Sequence, residues 1–311
     1  MVEQRVPVTP REPPPRRPRK SRSQLATRRA IALVLLAGGI GLAVWLVTVA
    51  VGSGGGKKEA TPPPAPVVPP SLKIVFPEGF TRAQMAERIA AVDEIAKKKR
   101  KITPRLSSRA YLRATATSRT PGKFARDGKP RSLEGFLFPA TYEFTAKTTS
   151  RQLVEKQLES FHRNWSKVDL SYAKSKNLTP YDVLIIASLI EKEVIAPEER
   201  ALVAAVIYNR LHAGMNLGID ATTRYGLNVP GTEPLLESQL HSSNPYNTRN
   251  PSITGLTPTP IANPGLASMQ AAAHPAKVDY LYFVRKPDRI HHFFTASERE
   301  FTNYANAHGF G

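Results

Sequence analysis

The sequence predicts one helix that crosses a membrane and, after it, a folded body that mixes helices with short strands. Three observations lead to this interpretation. A run of 22 uncharged residues covers 30–51 of the 311 residues. A Gly- and Pro-rich segment at 52–71 separates this run from the rest of the chain. Strand-like and helix-like patterns then follow one another along 72–311.

The apolar run has the length of a single membrane span. At about 1.5 Å per residue, a helix of this length reaches roughly 33 Å, enough to cross a bilayer. It is longer than the core of a secretory signal peptide, and the flank after Val51 is a poor cleavage site, so we expect an uncleaved span. Seven Lys and Arg residues precede it within 16–29. The positive-inside rule therefore predicts a single-pass protein of the cytoplasmic (inner) membrane, with residues 52–311 outside the cytoplasm.

Two segments carry all of the net charge of +19: residues 1–29 contribute +7 and residues 97–131 contribute +12. We interpret 1–29, rich in Pro and Arg, as a disordered cytoplasmic tail. Because the remainder is neutral, the composition argues against a nucleic-acid-binding body. The absence of cysteine excludes disulfides, thiolate metal sites and a cysteine nucleophile.

The folded body is expected to begin near Leu72, after the flexible and extended linker at 52–71. A short strand, a turn and a helix opened by the Thr81–Gln84 capping box predict a small unit at 72–96. The basic run at 97–131 then has two interpretations that both stay open. It is either a solvated, partly helical linker or a segment attracted to an anionic polymer outside the membrane.

Regular patterns return at 132–311 and continue to the end. In chain order they predict a strand–turn–strand at 133–144, helices at 152–167, from Pro180 onward and from Pro197 to Gly214, and short strands at 280–284 and 291–294.

Two glutamates close the apolar helix that starts at Pro180. Glu191 and Glu193 follow eight apolar or small residues, and on a helix they project about 200° apart, so only one can face a given cleft. A carboxyl group at the end of such a helix loses hydration, which raises its pKa toward that of a useful general acid. The simpler alternative is that the two glutamates form an ordinary polar helix end and have no catalytic role.

The segments that follow are dense in side chains suited to sugar hydroxyls. They include Asp220, Thr222, Tyr225, Asn247 and Thr248, the last two in a long loop. Long loops in compact domains are usually functional. Hydrogen bonds that only stabilise the loops are the alternative role for these residues.

Several motifs occur in a fixed order: FPEGFT, LEGFLFPATY, ASLIEKE, AAVIYNRL, the ID-A-T-T-x-Y segment, NPYNT, PIANPG, AAAHPA and YLYFV. In this order they resemble the MltG (YceG-like) family of endolytic murein transglycosylases, over about residues 72–300. The resemblance implies a small LysM-like subdomain near 72–96 and an α+β catalytic domain at 132–311. It also implies cleavage of peptidoglycan between N-acetylmuramic acid and N-acetylglucosamine, which leaves 1,6-anhydromuramyl ends and terminates strand elongation.

By this resemblance the family's catalytic glutamate maps to Glu193, with Glu191 as the alternative. One carboxyl group suffices if the substrate's own C6 hydroxyl attacks, because the same glutamate can act first as acid and then as base. Asp220, Thr222, Tyr225, Asn247 and Thr248 would bind the sugars. No cofactor or metal is implied, and penicillin-binding proteins of the elongation and division complexes are the implied partners.

The chain departs from the family pattern at two places. Ala140 stands where family members usually carry Asp. The family's G-x-H-x-F turn corresponds to Arg289–Phe293, where direct alignment favours His291 over His292.

Two other function classes are alternatives to the transglycosylase function that the resemblance implies. A non-catalytic peptidoglycan-binding scaffold would keep the sugar-binding loops, with Glu193 idle. A pyridoxal-phosphate lyase would need a Schiff-base lysine and a Gly-rich phosphate cradle, which the chain does not offer. The seven histidines form no ligand-spaced metal motif.

Overall fold

The structure, a computed structural model, describes residues 71–117, 124 and 131–309. The predicted tail, the span at 30–51 and nearly all of the linker lie outside these residues. Across the described ranges, no helix combines the length and the apolar character that crossing a membrane requires.

The elements are, in chain order, β1 (Leu72–Val75), α1 (Arg82–Arg100), α2 (Ser108–Ala116), β2 (Thr141–Phe144), α3 (Ser150–Trp165), α4 (Ser171–Ser175), α5 (Pro180–Glu193), a 3-10 turn (Pro197–Glu199), α6 (Arg200–His212), α7 (Asp220–Leu227), α8 (Glu237–Leu240), α9 (Leu266–Ala273), β3 (Tyr282–Arg285), β4 (His292–Thr295) and α10 (Glu298–Ala307). Helices and small antiparallel sheets are thus mixed, and the predicted α+β class is confirmed.

The first sheet joins two segments that the sequence had assigned to different domains. β1 pairs antiparallel with β2, with Leu72 opposite Phe144 and Val75 opposite Thr141. The strand–helix unit predicted at 72–96 therefore takes its second strand from beyond residue 131. Long-range pairing of this kind leaves no local pattern in the sequence, so the sequence alone does not indicate it.

A hydrophobic core lies between this sheet and α1, α2 and α3. Its buried residues are Ile74, Phe76, Met85, Ala86, Ile89, Leu106, Tyr111, Leu133, Leu137, Tyr142, Phe144, Leu153 and Val154. Leu106 and Tyr111 belong to the basic run at 97–131, and the Tyr111 hydroxyl donates to Gln157 Oε1 at 2.8 Å. This part of the basic run is therefore packed into the body and is more than a solvated linker.

Helix α1 begins and ends for identifiable local reasons. Thr81 and Gln84 form the predicted capping box at its start. The helix continues four residues past 96, because Lys97 and Lys98 pair with acids one turn earlier and cations are favourable near a helix C-terminus. It ends at Arg100, followed by Lys101 in the left-handed conformation.

Helix α5 forms the centre of the second and larger core. Thr179 caps it, with Asp182 completing the capping box and Pro180 in the first turn, as the sequence predicts. Every residue in 183–190 is buried. A helix that is apolar on all sides must be surrounded, and α5 is packed against α6 and α9.

Of the strand–turn–strand predicted at 133–144, the second strand is confirmed as β2, but the segment at 133–140 is not a strand. It forms a tight turn in which Gly135 has a φ of +87° and a Cβ atom would lie 2.6 Å from Pro260. The amide of Leu137 donates to the Asn263 side chain at 2.9 Å. This turn brings Glu134 to the end of α5.

The predicted strands near the C-terminus are confirmed within two residues. β3 and β4 pair antiparallel, with Arg285 opposite His292 and Phe283 opposite Phe294. Because side chains alternate along a strand, these four residues share one face of the hairpin.

Candidate active site

A cleft of about 1400 Å³ opens where α5 ends. One side is formed by α7 and the loop that follows it, and the other by the β3–β4 hairpin. The start of α1 and the turn at 134 close the third side. Its charged lining residues are Arg82, Glu87, Glu134, Lys192, Glu193, Arg210, Asp220, Arg224, Arg249 and Arg285.

Glu193 is the last residue of α5 and lines the cleft. Loss of hydration and, after it, the negative charge of Asp220 raise the pKa of its carboxyl group to about 7, against the opposing effect of Arg285, Arg249 and Lys192. Among the described residues, none donates a hydrogen bond to this carboxyl group. Glu193 can therefore hold a proton near neutral pH and present it to a ligand in the cleft.

Glu191 lies on the other side of the helix and does not line the cleft. Its Oε2 accepts a hydrogen bond from the amide of Gly265 at 3.0 Å. Glu78 approaches the same glycine, and burial together with the charge of Glu191 raises the pKa of Glu78. Glu191 thus joins α5 to the start of α9, which favours Glu193 as the chemically active glutamate.

Two of the predicted sugar-binding residues line the cleft, namely Asp220 and Tyr225. Asp220 Oδ1 accepts from Arg249 Nε at 2.5 Å, and the two side chains are 47% and 46% exposed. Tyr225 packs against Tyr246 with ring centroids 5.2 Å apart, and its hydroxyl donates to Glu134 at 3.2 Å. Both residues have side chains that a ligand can reach.

The other three predicted sugar-binding residues, Thr222, Asn247 and Thr248, are fully buried and do not line the cleft. The hydroxyls of Thr222 and Thr248 bond each other at 2.8 Å. Asn247 Nδ2 donates to the carbonyls of Leu240 and Ser242, each at 2.8 Å. These side chains hold the loop onto α7, as the loop-stabilising alternative predicts, and sugar binding by them stays a prediction.

Sequence reasoning missed Glu134, which lines the cleft and is 3% exposed. Its carboxyl group accepts from the amide of Arg82 at 2.9 Å, from Asn263 Nδ2 at 2.8 Å and from Tyr225. Burial raises its pKa to about 7, although these hydrogen bonds lower it. The available signal was a lone charge among the apolar residues of LEGFLFP. Glu134 links the start of α1 to the ring of Tyr225.

The hairpin contributes Arg285 and His292 to the cleft. Arg285 Nη2 donates to the main-chain carbonyl of Glu193 at 3.2 Å, which fixes the hairpin to the end of α5. His292 is buried and bonded to Glu199, whereas His291 is 41% exposed, bonded to Asp288 and absent from the cleft lining. Alignment favoured His291, but the structure places His292 at the cleft.

Comparison with known proteins identifies the family of the chain. The profile of the YceG-like family matches residues 63–307, which is most of the chain. The chain belongs to the YceG-like family.

Curated relatives of this YceG-like chain carry the name endolytic murein transglycosylase. One from Bacillus subtilis is 34% identical over 220 residues, covering 70% of this chain and 59% of the relative. One from Streptococcus pneumoniae is 33% identical over 238 residues, covering 70% of this chain and 41% of the relative. The alignments thus span about half the length of these relatives.

A solved structure shares the fold. The crystal structure of a YceG-like protein from Listeria monocytogenes aligns with a TM-score of 0.58 and 29% sequence identity, covering 76% of each chain.

Two further features of this YceG-like chain bear on its site. Ala140, which replaces the usual Asp, packs on the core between β1 and α3, and its carbonyl accepts from the amide of Phe76 at 3.0 Å. Within the part of the chain that the structure describes, no group of three or more His, Asp or Glu side chains is placed to hold a metal ion.

Proposed function

We propose that the chain is a membrane-anchored endolytic transglycosylase that acts on nascent peptidoglycan. It would cleave between N-acetylmuramic acid and N-acetylglucosamine, leave 1,6-anhydromuramyl ends and thereby terminate strand elongation. The membership of the YceG-like family and the names of the curated relatives support this reaction class.

The observation that carries the proposal is the state of Glu193. A carboxyl group with a pKa near 7, facing a cleft and without a hydrogen-bond donor among the described residues, is matched to both donating and accepting a proton at neutral pH. The cleft is also larger than the 300–1000 Å³ or so of ordinary small-molecule pockets, as a polymeric substrate requires.

The reaction then needs one principal carboxyl group. Glu193 gives its proton to the glycosidic oxygen as the bond to the muramyl C1 breaks, and N-acetylglucosamine leaves with a hydroxyl group. The C6 hydroxyl of the same muramyl residue attacks C1, and Glu193 takes up the proton of that hydroxyl. Atoms and charges balance without water, and Glu193 returns to its starting state.

The surrounding charges fit this cycle. Glu193 is briefly a carboxylate, and Arg285 and Arg249 are the cations that stabilise this form. Asp220 acts in the opposite direction and favours the protonated form at the start. Tyr225, held by Glu134, offers an aromatic ring on which a sugar face can stack.

The proposed location is the cytoplasmic (inner) membrane, crossed once by residues 30–51, with the catalytic domain outside. The apolar run and the basic residues before it support this topology. We also propose penicillin-binding proteins of the elongation and division complexes as partners, on the basis of the family alone.

The test uses the full chain in detergent with uncrosslinked glycan strands, and product ends are identified by mass spectrometry. We expect anhydromuramyl ends, and Glu193→Gln should reduce their rate of formation at least about 1000-fold, the scale of general acid–base catalysis. The matched control is Glu191→Gln. It changes the glutamate two residues earlier, on the other side of α5, and should retain most of the activity.

Other product patterns would contradict this function. Reducing ends would show hydrolysis and would require a second carboxylate, for which Asp220 is the candidate. Glycan binding without cleavage by the wild type would support the scaffold alternative.

A further inference from the structure

A buried carboxylate–imidazole pair, Glu199 and His292, lies beside the cleft and has no role in the reaction proposed above. Glu199 Oε2 lies 2.6 Å from His292 Nδ1, and Glu199 Oε1 accepts from the main-chain amide of His292 at 2.9 Å. The two side chains are only 7% and 2% exposed. A single carboxylate therefore holds both the backbone and the ring of His292.

The ring of His292 is also held on its flanks. Phe283 meets it edge to face, with centroids 5.3 Å apart, and Phe294 lies at 6.0 Å. With Nδ1 bonded to a carboxylate, the proton of a neutral ring resides on Nδ1 and the lone pair on Nε2. Among the described residues, none bonds Nε2, and His292 lines the cleft.

The position of His292 relative to Glu193 follows from the hairpin register. His292 is directly opposite Arg285, and directly paired residues have Cα atoms roughly 4.5–5.5 Å apart. Arg285 in turn bonds the main-chain carbonyl of Glu193. His292 is thus paired with the residue that bonds the end of α5, and it lines the same cleft as Glu193.

We propose that His292 is a substrate-contacting residue whose Nε2 accepts a hydrogen bond from the C6 hydroxyl of the bound muramyl sugar while Glu193 is still protonated, and that Glu199 positions it for this contact. Once Glu193 has given up its proton, the hydroxyl turns its single proton to the Glu193 carboxylate as it attacks C1. The inference rests on the proposed function, since it assigns a protein partner to the hydroxyl that attacks. An acceptor fixed in a protein wall selects a hydroxyl donor, and orienting that hydroxyl favours the internal attack over attack by water.

The chain offers matched controls for each residue of this pair. His291 adjoins His292 but is bonded to Asp288 and lies outside the cleft. Glu198 adjoins Glu199, but its side chain is 67% exposed and contacts His291 at 3.4 Å. Changing His291 or Glu198 therefore alters the same residue types in the same segments without touching the pair.

The experiment compares His292→Gln and Glu199→Gln with His291→Gln and Glu198→Gln in the full chain. It measures kcat/KM and the ratio of reducing to anhydromuramyl ends on uncrosslinked glycan. We expect His292→Gln to lower kcat/KM about 10- to 100-fold, the cost of a lost orienting contact, and to raise the fraction of reducing ends. Glu199→Gln should shift the ratio in the same direction by less, while the two controls stay within about twofold of wild type.

The possible outcomes separate this inference from the proposed function. If wild type forms anhydromuramyl ends and the folded His292→Gln protein keeps the wild-type ratio, this inference is overturned while the proposed function stands. If His292→Gln does not fold, the ratio measured with Glu199→Gln decides in its place. If wild type forms reducing ends only, or does not cleave, both the inference and the proposed function fail.

Discussion

The two long walls of the cleft can be compared directly, since both are rich in polar side chains. The α7 wall, residues 219–250, contains threonines and asparagines, and most of them are bonded to each other or to main-chain carbonyls inside the wall. The hairpin wall, residues 282–295, interleaves aromatic and polar side chains and places Arg285 and His292 at the cleft.

The difference teaches that polar composition and ligand contact are separate properties. Buried polar groups must find hydrogen-bond partners. The Asn and Thr side chains of a loop can therefore bond to one another and to the main chain, which leaves few of them for a ligand. In the hairpin wall, Arg285 and His292 are each bonded to the protein through a side-chain nitrogen, and their other side-chain nitrogens stay available to a ligand. The α7 wall should therefore respond to mutation mainly in stability and the hairpin wall mainly in catalysis.

After His292, the largest expected effect within this comparison is at Arg285. Arg285→Gln removes the bond to the Glu193 carbonyl and a cation that lowers the pKa of Glu193. We expect kcat/KM to fall about tenfold, the scale of one charge-assisted hydrogen bond. Because the pKa of Glu193 rises, the alkaline limb of the pH–rate profile should move to higher pH.

The matched control for that profile is Asp220→Asn. It removes a negative charge that raises the pKa of Glu193, so the alkaline limb should move to lower pH. Movement of both variants in the same direction would show that their charges do not act through Glu193.

A smaller effect, of another kind, is expected at Asn247. Asn247→Ala removes the side-chain partner of the Leu240 carbonyl and of the Thr223 hydroxyl, and leaves the Ser242 carbonyl with Asn250 alone. Unfolding free energy should fall by about 1–3 kcal/mol, measured by thermal or denaturant unfolding. The folded protein should keep its kcat/KM within about threefold, and a selective loss of activity at unchanged stability would instead restore Asn247 as a sugar-binding residue.

The comparison also shows how far sequence reasoning reaches. The limits of α5, its burial and the fact that only one of Glu191 and Glu193 can face the cleft follow from capping residues and helical geometry, which are local. The direction in which Thr222, Asn247 and Thr248 point depends on which buried partners they meet, and sequence spacing does not encode it.

Long-range contacts explain the remaining misses. Glu134 reaches the cleft only because the turn at Gly135 bonds to Asn263, far along the chain. The pairing of β1 with β2 likewise depends on the core formed with α1 and α2. The choice of His292 over His291 follows from its buried partner, Glu199, which belongs to another element.

The central claim is that Glu193 is a neutral carboxylic acid at the start of the reaction. The most direct measurement is a ¹³C NMR titration of the glutamate carboxyl groups, compared between wild type and Glu193→Gln. The account predicts a carboxyl signal that titrates near pH 7 and is missing from the variant, while Glu134 gives a second high-pKa signal in both. A Glu193 signal that titrates near its ordinary pKa of about 4.3 would contradict the account.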